Sequence, residues 1–203
     1  ETGRDLSIRF FRPRAELKVS QHHLKRAKFP VVDVHSHLRF KLPRAYADLD
    51  QFVQVMDRNN IAVNISLDGG LGERLTEHLE FVGKDHPDRC LVFANVDWVG
   101  DGDREDPASW ACHRTDFARH IVTLLSQAKQ EGVSGLKLFK QFGLGYKNPD
   151  GSLLQIDDLR WDPIWRACGE LGLPVIIHIA DPAAFFRPID ETNERWEELL
   201  SLI

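Results

Sequence analysis

The chain has 203 residues and a mass of 23.2 kDa, which suggests one domain or slightly more. Apolar residues make up 42% and charged residues 28%, so the composition excludes a disordered or low-complexity protein. The net charge of −5 and the pI near 6.0 argue against a dedicated nucleic-acid-binding protein. The sequence has no apolar run long enough to predict a membrane span, and its three widely separated cysteines exclude a disulfide framework.

The first part of the chain, residues 1–28, is predicted to be a basic N-terminal arm. Residues 1–30 carry eight Lys or Arg against three acidic residues, so this stretch has a charge of +5 and the remainder −10. Such an arm either binds an anion or is a solvated segment that packs on the acidic body. The first residue is Glu and no apolar signal core follows. We therefore expect the start to have been cut or processed, and both a cytoplasmic and an exported location stay open.

From residue 29 to residue 203, short apolar runs alternate with amphipathic stretches. The runs are rich in Val, Ile and Leu, as is typical of strands buried on both faces. They lie at residues 31–34, 61–67, 91–96, 133–139 and 174–179. Apolar residues at helical spacing predict helices around residues 49–56, 117–128 and 164–171, and Gly132 and Gly172 are placed to end the last two. This alternation predicts right-handed βαβ units and a parallel sheet.

Two architectures fit this pattern: a doubly wound open sheet and a TIM-type (β/α)8 barrel. Barrels typically need about 250 residues, and five strands in this chain extrapolate to roughly 300 residues for eight. The chain also stops inside a helical pattern at residues 193–203. We therefore expect residues 29–203 to form about five of the eight strands of an α/β barrel that is truncated at its C-terminus.

The strongest chemical signal is the motif Asp33-Val34-His35-Ser36-His37 at the end of the first apolar run. Successive side chains on a strand alternate between faces, so His35 and His37 are predicted to point the same way, with Asp33 below them. The carboxyl ends of parallel strands are where α/β active sites form. Paired imidazoles there favour a site for zinc or a similar divalent ion over two core histidines bonded to backbone.

Two further residues are candidate metal ligands. His178 ends the fifth apolar run and places a third imidazole at the carboxyl end of a strand. Lys137 lies inside the fourth run, where an unpaired ammonium is costly to bury. Lys137 either reacts with CO2 to give a carbamate that bridges two metal ions, pairs with Asp33 or Asp97, or extends out to solvent.

Together these features resemble the amidohydrolase superfamily, and in particular its amidohydrolase-related (amidohydrolase 2) branch of metal-dependent hydrolases. The resemblance rests on the motif at residues 33–37, Lys137 and His178, and covers about residues 29–200. It implies a barrel that holds a zinc-type ion and an activated water. The branch usually holds one ion, which favours one over two. Its later ligands and proton shuttle would follow strands six and eight, so the catalytic residues are unknown and the general base is expected beyond residue 203.

The predicted activity is that of a metal-dependent hydrolase. An activated water would attack an amide, ester or lactone-like bond of a small molecule, and Arg39 and Lys140 are predicted to bind that substrate. The alternatives are a non-oxidative decarboxylase on the same barrel and a non-catalytic barrel domain that binds a partner. We expect a small-molecule substrate, no nucleic-acid partner and no membrane span, and a homo-oligomer stays open.

Overall fold

The computed structural model describes residues 10–13, 18–20, 22–39, 49–83 and 85–200. The chain divides into two compact units. The larger is Leu24–Ile179, and the smaller holds the described residues before Leu24 together with those after Ile179. The predicted basic arm, residues 1–28, lies partly outside the described residues. Its separation from a barrel that begins at residue 29 stays a prediction.

The larger unit is built on a parallel sheet of five strands, in the order β1-β2-β3-β4-β5. The strands are β1 (Val31–Ser36), β2 (Ile61–Ser66), β3 (Cys90–Asn95), β4 (Gly135–Leu138) and β5 (Val175–Ile177). A sheet order equal to the chain order is that of a barrel, whereas a doubly wound sheet reverses its order at a switch point. The larger unit is therefore part of a (β/α)8 barrel, as predicted, and the doubly wound alternative is excluded.

Helices lie between the strands. They are α1 (Leu49–Asn59), α2 (Glu73–Gly83), α3 (Phe117–Glu131) and α4 (Asp162–Glu170), and the smaller unit contains α5 (Trp196–Leu200). The apolar periodicity predicted α1, α3 and α4 but not α2, because a histidine, His78, takes a central position on its buried face. The helix α3 ends at Gly132, whose φ of 109° is left-handed, as predicted. None of the helices within the described residues has the length and apolar character needed to cross a membrane.

The sheet buries different side chains on its two faces. Leu136 and Leu138 of β4 belong to the large core that also contains buried residues of α1 to α4. Because neighbouring strand residues alternate, Lys137 points to the opposite, inner face. That face carries a smaller cluster of Ile65, Leu67 and Phe93, against which Ile176 packs. The sheet thus places Lys137 on the inner side of the barrel, away from the helices.

In the smaller unit, the described residues near the N-terminus contact the C-terminal segment. The backbone N–H of Arg12 donates to the carbonyl of Glu191 at 2.8 Å. The rings of Phe11 and Trp196 lie 6.1 Å apart between centroids. This unit therefore joins the two ends of the described chain.

Candidate active site

Three histidines come together at the carboxyl end of the sheet. His35 is the fifth residue of β1, and His37 and His178 directly follow β1 and β5. The ring centroids of His35 lie 5.3 Å from His37 and 6.4 Å from His178. In a flat sheet β1 and β5 would be four strand spacings apart, or about 19 Å. Only a strongly curved sheet brings these imidazoles together. The barrel interpretation of the sequence predicted this curvature.

The environment of His35 favours a neutral imidazole. Partial burial is the largest cause that lowers its pKa from the usual value, followed by the positive charge of Lys137 and the neighbouring His37 and His178. Asp33 opposes this shift, and its Oδ1 accepts a hydrogen bond from the backbone N–H of His35 at 3.1 Å. A neutral imidazole has a free lone pair, which is the form that binds metal ions.

Asp68 is a functional candidate that the sequence analysis missed. It follows β2 within two residues and is 3% exposed. Its Oδ1 lies 2.6 Å from Nδ1 of His37, and its Oδ2 accepts the backbone N–H of Arg39 at 3.1 Å. The signal was present in the sequence, because an acidic residue directly after the second apolar run must lie at the same edge of a parallel sheet as His37.

Lys137 is buried beside the histidines, and no ion pair joins it to another described residue. Its side chain is 1% exposed, and its Nζ lies 5.7 Å from the ring centroid of Phe139. No described residue accepts a hydrogen bond from this nitrogen, so of the alternatives for Lys137 the pairing with Asp33 or Asp97 is contradicted. Asp33 is bonded to the backbone of His35, and Asp97 accepts two backbone N–H groups of its own loop. Burial lowers the pKa of Lys137 below its usual value.

The two predicted substrate-binding residues occupy different surroundings. Arg39 is half-buried, and its Nη2 donates to Oε2 of Glu77 on α2 at 2.9 Å, so its guanidinium is directed at a helix. Lys140 is half-buried and lies two residues beyond β4. A substrate-binding role for either residue stays a prediction.

A pocket of about 800 Å³ adjoins the histidine cluster. Loops that follow β2, β3 and β4 line it, and both Asp68 and Phe139 contact His37 while also lining the pocket. Its charged and aromatic lining includes Arg74, Arg104, Arg114, Asp97, Asp101, Asp116 and Tyr146. Burial is the largest cause that raises the pKa of Tyr146 to about 12, so the phenol stays protonated at neutral pH.

The chemistry of these residues fits a divalent ion such as zinc. Two imidazoles on one tetrahedral zinc ion have ring centres roughly 5 Å apart, which follows from Zn–N bonds of about 2.0–2.1 Å. The observed separations of 5.3 and 6.4 Å are close to this spacing. Among the residues that the structure describes, no group of three or more His, Cys, Asp or Glu could hold a metal ion as it stands. The donor types therefore fit a zinc ion. The ring of His178 would have to lie about 1 Å closer to that of His35 to reach the spacing set by the Zn–N bonds.

Comparisons with known proteins bear on the same region. The crystal structure of a probable 2-pyrone-4,6-dicarboxylic acid hydrolase from Acinetobacter baumannii, with citric acid bound, is similar at a TM-score of 0.43 and 17% identity. The similarity covers 85% of this chain and 66% of that chain, so the chain spans slightly less than two thirds of that protein. No protein of curated function matches the sequence significantly. The sequence profile of the family described as Amidohydrolase matches residues 32–199, which run from β1 to α5 and contain all three histidines. The chain therefore belongs to the amidohydrolase family.

Proposed function

We propose that the chain is part of a metal-dependent hydrolase in which His35, His37 and His178 hold one divalent ion, with zinc as the expected ion. The observation that carries this proposal is the convergence of three imidazoles from β1 and β5 at the carboxyl end of the sheet. Active sites of (β/α)8 barrels form at this end. The amidohydrolase family to which the chain belongs is generally metal-dependent, which supports the same interpretation.

The residues of the chain supply ligands and a place for the substrate. The lowered pKa of His35 keeps its lone pair available at neutral pH. When a divalent ion is bound, the chemistry it supplies is polarisation of a carbonyl and acidification of water. The adjoining pocket of about 800 Å³ is of a size that suits a small molecule. An amide, ester or lactone-like bond of a substrate in this pocket would approach His37 on the side that Asp68 and Phe139 line.

The number of ions depends on Lys137. Its neutral amine can attack CO2, forming an N–C bond and releasing one proton, which gives a carbamate anion. A lowered pKa makes the neutral amine easier to reach. The carbamate would join a site with two ions, whereas an unmodified lysine leaves a site with one, and a bound cation would further disfavour its charged form. We propose the single ion, because an unmodified lysine requires no further reactant.

Metal content tests this proposal. The purified protein, loaded with zinc and freed of excess metal, should hold about one ion per chain by elemental analysis. The substitutions His35→Ala and His178→Ala should remove that ion, while the control His86→Ala should retain it, because His86 bonds to Asp50 outside the cluster. Because the general base is expected beyond residue 203, cleavage of some members of a panel of esters, lactones and amides is expected only of the zinc-loaded protein that carries that residue as well.

Two results would contradict the proposal. One is a wild-type protein that retains no zinc after loading. The other is a bound ion that survives both His35→Ala and His178→Ala, which would place it outside the histidine cluster.

A further inference from the structure

The carboxylate of Asp68 uses both of its oxygens. Its Oδ1 lies 2.6 Å from Nδ1 of His37, and its Oδ2 accepts the backbone N–H of Arg39 at 3.1 Å. An ionised carboxylate can only accept hydrogen bonds, so the hydrogen between Asp68 and His37 belongs to Nδ1 of the imidazole. In a neutral ring, the lone pair is then on Nε2, on the other side of the ring from Asp68.

We infer that Asp68 is a positioning residue that fixes His37 in the Nδ1–H tautomer and leaves Nε2 free to act as a ligand. The ring of His37 is also held between neighbours: it lies edge-on to His35 at 5.3 Å and stacks on Phe139 at 6.2 Å between centroids. Asp68 therefore sets the tautomer of a ring whose plane is already restricted. The part of this inference that concerns metal binding rests on the proposed function.

The backbone on both sides of Asp68 is anchored to neighbouring strands. The N–H of Leu67 donates to the carbonyl of Ser36 in β1 at 2.9 Å. The N–H of Gly69 donates to the carbonyl of Phe93 in β3 at 3.1 Å. A Cβ atom at position 69 would lie only 2.6 Å from that carbonyl oxygen, so only glycine fits there without a shift of the backbone. Asp68 thus sits on a segment clamped between β1 and β3, which explains how a loop residue can hold a histidine in a defined orientation.

The tautomer of His37 can be measured directly by NMR. In ¹⁵N-labelled metal-free protein at pH 8.5, long-range ¹H–¹⁵N correlations distinguish the two neutral tautomers from the imidazolium, and His37→Gln assigns the signals. We expect the Nδ1–H form in the wild type and a shift towards Nε2–H, the form favoured by free histidine, in Asp68→Ala. Asp68→Asn keeps an uncharged acceptor and should restore part of the Nδ1–H population.

Zinc affinity provides the second measurement, by competition with a chromophoric chelator. Asp68→Ala should weaken zinc binding about 10–100-fold, the range found when the outer partner of a ligating histidine is removed. The matched control is Asp97→Ala, because Asp97 lines the same pocket but, among the described residues, its carboxylate accepts hydrogen bonds only from the backbone of its own loop. This control should leave the zinc affinity and the tautomer of His37 unchanged.

The outcomes separate this inference from the proposed function. If His37 in Asp68→Ala keeps the Nδ1–H tautomer, or if the wild type shows an imidazolium at pH 8.5, the positioning role of Asp68 is refuted. If Asp68→Ala does not fold, the wild type decides: a His37 that is mainly in the Nε2–H form at pH 8.5 would refute the positioning role. If the tautomer depends on Asp68 but the wild type binds no zinc, the positioning role stands and the metal site is refuted.

Discussion

Replacing Lys137 by methionine tests the charge state of the buried nitrogen. The side chain is 1% exposed, and no described residue accepts a hydrogen bond from its Nζ. Methionine has a similar length and volume but carries no charge, so it removes an unpaired buried group while filling nearly the same space. If the wild type carries a free ammonium, Lys137→Met should therefore make the protein more stable.

The expected gain follows from the cost of burying an unpaired group. Leaving a buried donor unsatisfied costs about 1–3 kcal/mol, and more when the group is charged. For a chain of this size each kcal/mol corresponds to about 2–4 °C in melting temperature, so Lys137→Met should melt roughly 2–12 °C higher. Burial lowers the pKa of Lys137 in the folded protein below its usual value of 10.5. Between the lowered pKa and 10.5, the unfolded chain therefore binds more protons than the folded one. Wild-type stability then rises with pH in that window, and the gain from methionine shrinks as the pH approaches 10.5.

Urea denaturation at pH 7 and pH 9.5, without added metal, measures both effects. The control is Leu136→Met, a substitution of similar volume on the helix-facing side of the same strand, which should cost less than about 1.5 kcal/mol at either pH. The reasoning is refuted if Lys137→Met is less stable than the wild type at pH 7. A loss of stability that appears only with zinc and bicarbonate, together with the loss of a second ion, would show instead that Lys137 is a carbamate.

Two further substitutions test the packing of the larger unit. Gly135→Ala would place a Cβ atom 2.4–2.6 Å from three ring atoms of Phe93 and should lower the free energy of unfolding, measured with urea, by about 1–3 kcal/mol. In the control Gly169→Ala in α4, the added Cβ atom meets nothing within 4 Å, so this substitution should be neutral or stabilising. Equal effects of these two substitutions would count against the inner-face packing. Burial lowers the pKa of His78 to about 4, and the Nε2 of this residue lies 2.8 Å from Oγ of Ser66. As the pH falls from 6.5 to 4, the unfolded chain therefore takes up this proton before the folded one does. The free energy of unfolding should fall by up to about 1.4 kcal/mol per pH unit in this range. His78→Gln should flatten this dependence, and an unchanged slope would show that other groups cause it.

The pattern of the sequence was sufficient to predict the strands and their direction. The apolar runs indicate where strands lie, because near-continuous apolar stretches are typical of strands in parallel sheets, although β1 and β5 are largely exposed among the described residues. The alternation of side chains put His35 and His37 on one face and Lys137 opposite to Leu136 and Leu138, since this period depends on the strand alone. Both results are local, and they need no knowledge of how distant parts of the chain meet.

Tertiary structure decided which side chains are partners. The sequence suggested Asp33 or Asp97 for Lys137, but both carboxylates bond to nearby backbone, and the carboxylate that contacts His37 is Asp68. These pairings depend on the register between strands and on the curvature that brings β1 within reach of β5, which are set by the packing of the whole sheet against its helices. Contacts over long sequence distances arise from that packing, so the pattern of the sequence predicts which residues share an edge of the sheet but not which side chains pair there.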